Sequence, residues 1–343
     1  MVSSAFVKPR EHTVIGIDIG GTKIAGAVMR AHLPETGQVE APPAIISRVT
    51  GVTSAVSADA CLEGLAAVIE GLVEAVDGVD GIGLGTASSV DFEAGRIVAS
   101  VNLPLEDVPI RDILERRLGV PVAVDNDATV AAIGEWAWGA GVGTREMIML
   151  TLGTGVGGGI ICRGRPYRGF SGAAAELGHI IIDMAGPPCP GDCPNHGCLE
   201  AYASGTAMGI AAVEEARQKP LSVLGKALAA GEVVDGKLLT LLAQQGDQTA
   251  LDVVARVGEY LGAGLVTLVN TFNPERIVIG GGAAAAGELL LGPARRVVAH
   301  RALRPARDEV SVVPAALGPD AGMIGAGALA LMELFPDAAG PLS

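Results

Sequence analysis

Apolar side chains come in short runs from residue 13 onward, and glycine repeatedly breaks them. In TVIGIDIGGTKIAGAVM, residues 13–29, Val14, Ile15 and Ile17 form one strand, Gly20-Gly21 make a turn, and Ile24 to Met29 return as a second strand. The plan recurs in MIMLTLGTGVGGGIICRGRPYRG from Met147, with an apolar strand, a Thr/Gly turn at 151–159 and another strand. Between these hairpins Leu62, Leu65, Ile69, Leu72, Val73 and Val76 keep helical spacing, and the strand GIGLGT follows. RDILERRLG predicts a further helix and VPVAVDND a buried strand ending in polar residues. Later, LDVVARVGEYLGAGLVTLVNTFNPE predicts a long helix stopped near Pro274, and RIVIGGG a strand entering a third glycine turn. Two glycine-tipped hairpins, roughly one domain apart, predict an internally duplicated α/β fold with a nucleotide clamped between its halves.

Composition supports this picture and narrows it. A chain of 343 residues can form two domains with substantial cores. A hydrophobic share of 49% against 18% charged residues describes a globular protein. The net charge of −14 argues against a nucleic-acid surface. No apolar run is long and clean enough to span a bilayer, and MVSSAFVKPREH lacks the core of a signal peptide. The expected address is the cytoplasm, where stable disulfides are uncommon.

Three places carry candidate chemistry. At the tip of the first hairpin, Asp18 suits Mg²⁺ or its water shell, while the turn glycines and Thr22 can approach an anion. The same residues would also make an ordinary tight hairpin; it is the second hairpin that favours a phosphate site. Neither turn fits GxxxxGK[ST], and neither leads from strand into helix as a dinucleotide fold requires. Asp127 stands where the buried strand meets the helical ATVAAIGE, a position for either a helix N-cap or the base of a phosphoryl transfer. Finally, CPGDCPNHGCLE at 189–200 holds three of five cysteines, and His179 stands ten residues before the first of them. His179, Cys189, Cys193 and Cys198 have the composition of a closed structural zinc site. Asp192 and His196 lie nearby and are expected to be solvated.

The ordered set DIGGTK, VDNDA, LGTGVGGG, ELGH, the cysteine cluster ending GCLE, and IVIGGG resembles the ROK family of sugar kinases and repressors, within the actin/hexokinase-like ATPase superfamily. The resemblance runs from about residue 13 to 332. It implies an α/β fold of two duplicated actin-like (ribonuclease H-like) ATPase domains with an interdomain cleft. Residues 1–126 plus 320–343 would form the smaller domain, with the helix from Asp320 returning to it, and 127–319 the larger one carrying the zinc. The implied activity is ATP-dependent phosphorylation of a hexose 6-hydroxyl, with glucose leading and N-acetylmannosamine, allose or fructose as alternatives. ATP, Mg²⁺ and structural Zn²⁺ are the implied cofactors, and a homodimer or higher homo-oligomer the implied assembly, with no nucleic-acid or membrane partner.

Residue by residue, the resemblance assigns ATP and Mg²⁺ to Asp18, Gly20, Gly21, Thr22, Lys23, Gly153, Thr154 and Gly155, with the nucleoside near Gly281-Gly282. Asp127 becomes the base and Asp125 peripheral. Ser88, Asn102, Asn126, Asp127, Glu176, His179 and Glu200 become the sugar contacts, the zinc holding His179 and Glu200 in place. Three positions depart from the family pattern. Cys189 and Cys193 stand two residues further apart than usual, which predicts a bulged loop with the ligand set intact. Ser88 replaces a glycine that contacts the sugar through its backbone, and Leu105 replaces a tryptophan; both changes predict weaker discrimination among hexoses. A repressor of this family would need a DNA-binding segment ahead of the first strand, where only a dozen residues stand. A non-catalytic sugar sensor would be expected to lose the base, and chaperone-like ATPases lack the Glu/His/Cys block.

Overall fold

The structure, a computed structural model, describes residues 10–33 and 42–334. Most of the N-terminal stretch read for a leader or DNA-binding segment lies outside the described residues, as does 335–343 of the expected smaller domain. Two compact units are formed, from the described residues of Met1–Arg145, Gly159–Ala174 and Pro319–Ser343, and from Glu146–Gly158 with Ala175–Gly318.

In the first unit β1 (Arg10–Ile19) and β2 (Lys23–Leu33) form the expected antiparallel hairpin, and β3 (Ala44–Val52) adds to its outer edge. After α1 (Ala58–Val73) the chain enters β4 (Gly81–Thr86), then a short hairpin of β5 (Ser89–Asp91) and β6 (Arg96–Ala99). α2 (Ile110–Leu118), β7 (Val122–Asn126) and α3 (Asp127–Trp138) complete this stretch. The sheet order is β3-β2-β1-β4-β7, with β1, β4 and β7 parallel. Ile15, Ile17, Ile82, Leu84 and Val124 bury one layer of the core against Leu65 and Ile69 of α1. Ser57 caps α1 at Ala60 N–H, and the helix stops at Val73, so Val76 packs on the core from beyond the helix.

The second sheet repeats that order. β8 (Met147–Leu152), β9 (Val156–Cys162), β10 (Arg165–Pro166), β11 (Arg276–Gly280) and β12 (Ser311–Pro314) run β10-β9-β8-β11-β12, and β8, β11 and β12 are parallel. Each sheet thus places its third, second, first, fourth and fifth strands side by side, the signature of duplication that the two hairpins predicted. The turn between β8 and β9 covers only 153–155, tighter than the expected 151–159, because Val156–Gly159 already lie in β9. Helices α4 (Glu200–Ala203), α5 (Gly205–Gln218), α6 (Val223–Ala229), α7 (Gly236–Gln244), α8 (Gln248–Phe272), α9 (Glu288–Arg301) and α10 (Ala306–Glu309) follow in order. Asp247 caps the start of α8, and Asn273 in the left-handed conformation ends it one residue before Pro274.

The last described helix, α11 (Ala321–Leu334), groups with the first unit. It is buried on all sides and packs on β1, β4 and α3. The approach is backbone to backbone: a Cβ on Gly83 of β4 would lie 1.7 Å from the Ala326 carbonyl oxygen, so only glycine fits. The division differs from the expected one, since α3 and residues 159–174 group with the first unit instead of the second.

Candidate active site

In the first unit, the turn after β1 is closed by Gly20 N–H donating to Lys23 O at 2.9 Å. Thr53, at the end of β3, holds it from the side, its hydroxyl donating to Gly20 O and its N–H to Thr22 O. Thr22 and Lys23 are exposed at the tip. Burial raises the Asp18 carboxyl above the ordinary aspartate range, with Lys23 partly opposing, so the site favours a bound cation or a proton. A Cβ on Gly21 would lie 3.1 Å from Asn102, which places that exposed side chain beside the turn.

At the junction of β7 and α3 the capping role falls to Asn126, one residue earlier than the cap considered from sequence. Its Oδ1 accepts from Ala128 and Thr129 N–H at 3.0 and 3.1 Å. Asp127 is the first helical residue, and its Oδ1 accepts from Asn126 Nδ2 and Ala128 N–H. The carboxylate is therefore oriented by its neighbours at a helix N-terminus, where negative charge is favoured. Asn126 Nδ2 also donates to Ser88 O at 3.3 Å.

Two departures from the family pattern, Ser88 and Leu105, turn their side chains inward. The Ser88 hydroxyl is buried and shares a 3.0 Å hydrogen bond with Thr86, so this turn offers its backbone. Leu105 is 1% exposed and belongs to the hydrophobic core with Ile97, Leu103 and Ile110. Its apolar surface is spent on the core, so its side chain forms no exposed wall.

Asp125, read as peripheral to the chemistry, is anchored within the first unit. It is buried, accepts from Asn126 N–H, and receives Arg168 Nε at 2.7 Å. The Arg168 guanidinium also lies 3.5 Å from the Phe92 ring centroid and 3.9 Å from Glu333. Burial raises the Asp125 carboxyl, and the Arg168 charge and hydrogen bond pull it back. Sequence reasoning missed Arg168 because nothing local ties it to a partner 43 residues away.

In the second unit, Gly153–Gly155 leave β8 beside the third glycine turn at the end of β11. Gly281 has φ 86°, and a Cβ there would meet the Leu152 backbone at 2.5 Å, whereas beside Gly282 there is open space. Both turns open on a cavity of about 920 Å³, with Thr206, Lys237 and Gln244 among its other walls. That volume is within the roughly 300–1,000 Å³ usual for small-molecule sites.

Glu176 is exposed and immediately precedes the short helical turn that carries His179. His179 Nδ1 lies 3.4 Å from Cys189 Sγ, and Cys193 Sγ lies 3.9 Å from Cys198 Sγ. All four ligand atoms fall within 4.8 Å of one another. Ordinary zinc bond lengths in a tetrahedron require about 3.8 Å between sulfurs and about 3.5 Å between sulfur and nitrogen, so the four atoms fit the ion. Burial raises the Cys189 and Cys198 thiols, which a metal would offset by holding thiolates. The longer Cys189–Cys193 spacing is taken up by an exposed loop with Gly191 at φ 69°. Asp192 is exposed, and His196 Nδ1 lies 3.3 Å from Gly186 O, so neither joins the cluster. Glu200 opens α4, and its Oε2 accepts Val156 N–H at 2.7 Å.

The ROK family profile matches residues 14–333. This chain belongs to the ROK family. Among its relatives, the glucokinase of Halalkalibacterium halodurans is 38% identical over 91% of this chain and 93% of its own length. The crystal structure of a ROK family glucokinase from Streptomyces griseus, in complex with glucose and AMPPNP, is 37% identical with a TM-score of 0.76, over 93% of this chain and 99% of its own. A ROK transcriptional regulator homologous to the E. coli MLC protein has a TM-score of 0.83 at 25% identity, over 95% of this chain and 79% of its own. Besides Arg168, this ROK chain holds a second functional candidate that motifs did not reveal, Thr53, whose buried hydroxyl fixes the first turn. No helix among the described residues is long and apolar enough to cross a membrane.

Proposed function

We propose that this ROK protein is an ATP-dependent hexose kinase that phosphorylates the 6-hydroxyl of glucose. The observation that carries this reading is Asp127: with Asn126 capping α3, the Asp127 carboxylate is held at the helix start as a base for a sugar hydroxyl. Asn126, Asn102 and the backbone at Ser88 would contact the sugar from the first unit, and Glu176, His179 and Glu200 from the second. Asp18 would hold Mg²⁺, and Gly20–Lys23 with Gly153–Gly155 the phosphates, the nucleoside lying in the cavity beside Gly282. Zinc would be held by His179 Nδ1 and the three thiolates, supplying rigidity and no chemistry of the transfer. His179 Nε2, the second ring nitrogen, would then be left for a sugar hydroxyl.

Similarity favours a kinase over a repressor. Identity to the two glucokinases is 37–38%, with nearly full coverage of both partners, against 30–33% to xylose repressors of which 55–80% of the length is covered. The test is ADP release in a coupled assay with glucose, mannose, N-acetylmannosamine, allose and fructose under identical conditions. We expect glucose to give the highest kcat/KM. No ADP release with any hexose, from protein that binds Mg-AMPPNP, would overturn the reading.

A further inference from the structure

The segment immediately after Cys198 does more than present Glu200. Within seven residues it grips the turn between β8 and β9, and the first residue of β9, at three points. Gly205 N–H donates to Gly153 O at 2.8 Å, the Thr206 hydroxyl donates to Thr154 O at 2.8 Å, and Glu200 Oε2 accepts Val156 N–H at 2.7 Å. Inside the turn itself, Gly153 N–H bonds Gly155 O and Thr151 O. The N–H groups of Thr154 and Gly155 have no partner among the described residues. The grip therefore uses the turn's carbonyls and its last amide, and leaves two adjacent donors for an anion.

The gripping segment is itself firmly rooted. Leu199 is fully buried, its side chain so close to Gly264 of α8 that a Cβ there would lie 2.7 Å away, and its N–H donates to Ile180 O. Ser204, also fully buried, caps α5 through Ala207 N–H. A backbone bridge joins Ile181 to Cys198. Space around the turn is equally constrained: a Cβ on Gly155 would lie 2.3 Å from Glu200 Oε2.

The geometry points to Glu200 and Thr206 as positioning residues that hold the 153–156 turn in its phosphate-receiving form. Glu200 engages the turn through one carboxylate oxygen and keeps the other for a sugar hydroxyl. This deepens, and rests on, the kinase reading. One carboxylate then belongs to both substrates' sites, so whatever hexose does to nucleotide affinity, nucleotide does to hexose affinity by the same factor.

Two measurements test it, one independent of any ligand. Hydrogen exchange on the free protein, read by mass spectrometry over peptides spanning 153–156, should quicken about 2- to 12-fold in Thr206→Val, the worth of one neutral hydrogen bond. In Glu200→Ala it should quicken about 10-fold or more, because the lost acceptor is charged. Thr206→Ser, which keeps the hydroxyl, should exchange like the parent. Calorimetric binding of Mg-AMPPNP without hexose should weaken by similar factors, while hexose affinity without nucleotide should be unchanged in Thr206→Val. Unchanged exchange in both variants overturns the proposal, even if nucleotide affinity drops, since Thr206 would then be touching the nucleotide directly. Full sugar-free nucleotide affinity in Glu200→Ala also overturns it. Failure of the parent protein to bind Mg-AMPPNP would instead sink the kinase reading, with the exchange measurement still deciding the grip.

Discussion

Removing the guanidinium partner of Asp125 is the sharpest test of how the first unit is held together at the end of β7. In Arg168→Met the stem of the side chain can still cover Phe92, but Asp125, with a side chain 4% exposed, is left holding only Asn126 N–H. Breaking a buried ion pair from one side costs about 3–5 kcal/mol, and the lower figure applies because Arg168 is 18% exposed and water can partly replace it. At roughly 2–4 °C per kcal/mol for a unit of this size, the melting transition of the first unit should fall by about 6–12 °C at pH 8. The pH dependence has a definite sign. Asp125 already has a folded-state pKa raised by burial, and Arg168 opposes that rise. A raised acid contributes stability that is present below its unfolded pKa and lost as pH climbs through its folded pKa. Without Arg168 the folded value climbs further, so the penalty is full at pH 8 and shrinks as the solution is acidified and Asp125 takes up a proton. Calorimetry at pH 8, 6 and 5 on parent and variant reads both quantities. Adding Asp125→Asn to Arg168→Met should restore part of the loss at pH 8, because no buried charge remains. A shift below about 2 °C at pH 8, less than 1 kcal/mol, or a penalty that grows on acidification, would refute the argument.

Asp127→Asn should lower kcat by about 100-fold or more, with hexose affinity nearly unchanged, because the amide can still sit at the start of α3 but cannot take a proton. Near-normal turnover would remove Asp127 from the reaction. Metal analysis of purified protein should find about one zinc per chain, and Cys193→Ser should release it and weaken hexose affinity through His179 and Glu200. Full hexose affinity in metal-free protein would leave the cluster a purely local staple.

What could be read in advance was whatever depends on short spacing. Both glycine-tipped hairpins, the end of α8 near Pro274 and the four-residue His/Cys cluster follow from neighbours in the chain. The misreadings share a different cause. Asn126 and Asp127 are both good caps, and Asn126 takes the role because, as the last residue of β7, it keeps the extended backbone a cap needs. Leu105 was judged by the residue it replaces, yet its own apolar surface takes it into the core. Arg168 and Thr53 act on partners 43 and 33 residues away, and the grip on Thr154 spans 52. Such pairings exist only once the sheets are assembled.

The position of α11 has a consequence for how the protein is made. The layer that fills the space over β1, β4 and α3 is α11, synthesised after every other described element of both units. Most strands and helices of the first unit emerge by Arg145, but the helix that covers them follows about 190 residues later, on the order of 10–40 s at usual elongation rates. During that interval the glycine-lined faces of β1 and β4 have no native cover, while the second unit has already been synthesised in full. Nascent chains stalled before Ala321 should therefore be the form that chaperones hold, and a premature stop anywhere in α11 should be felt in the half of the fold that was translated first.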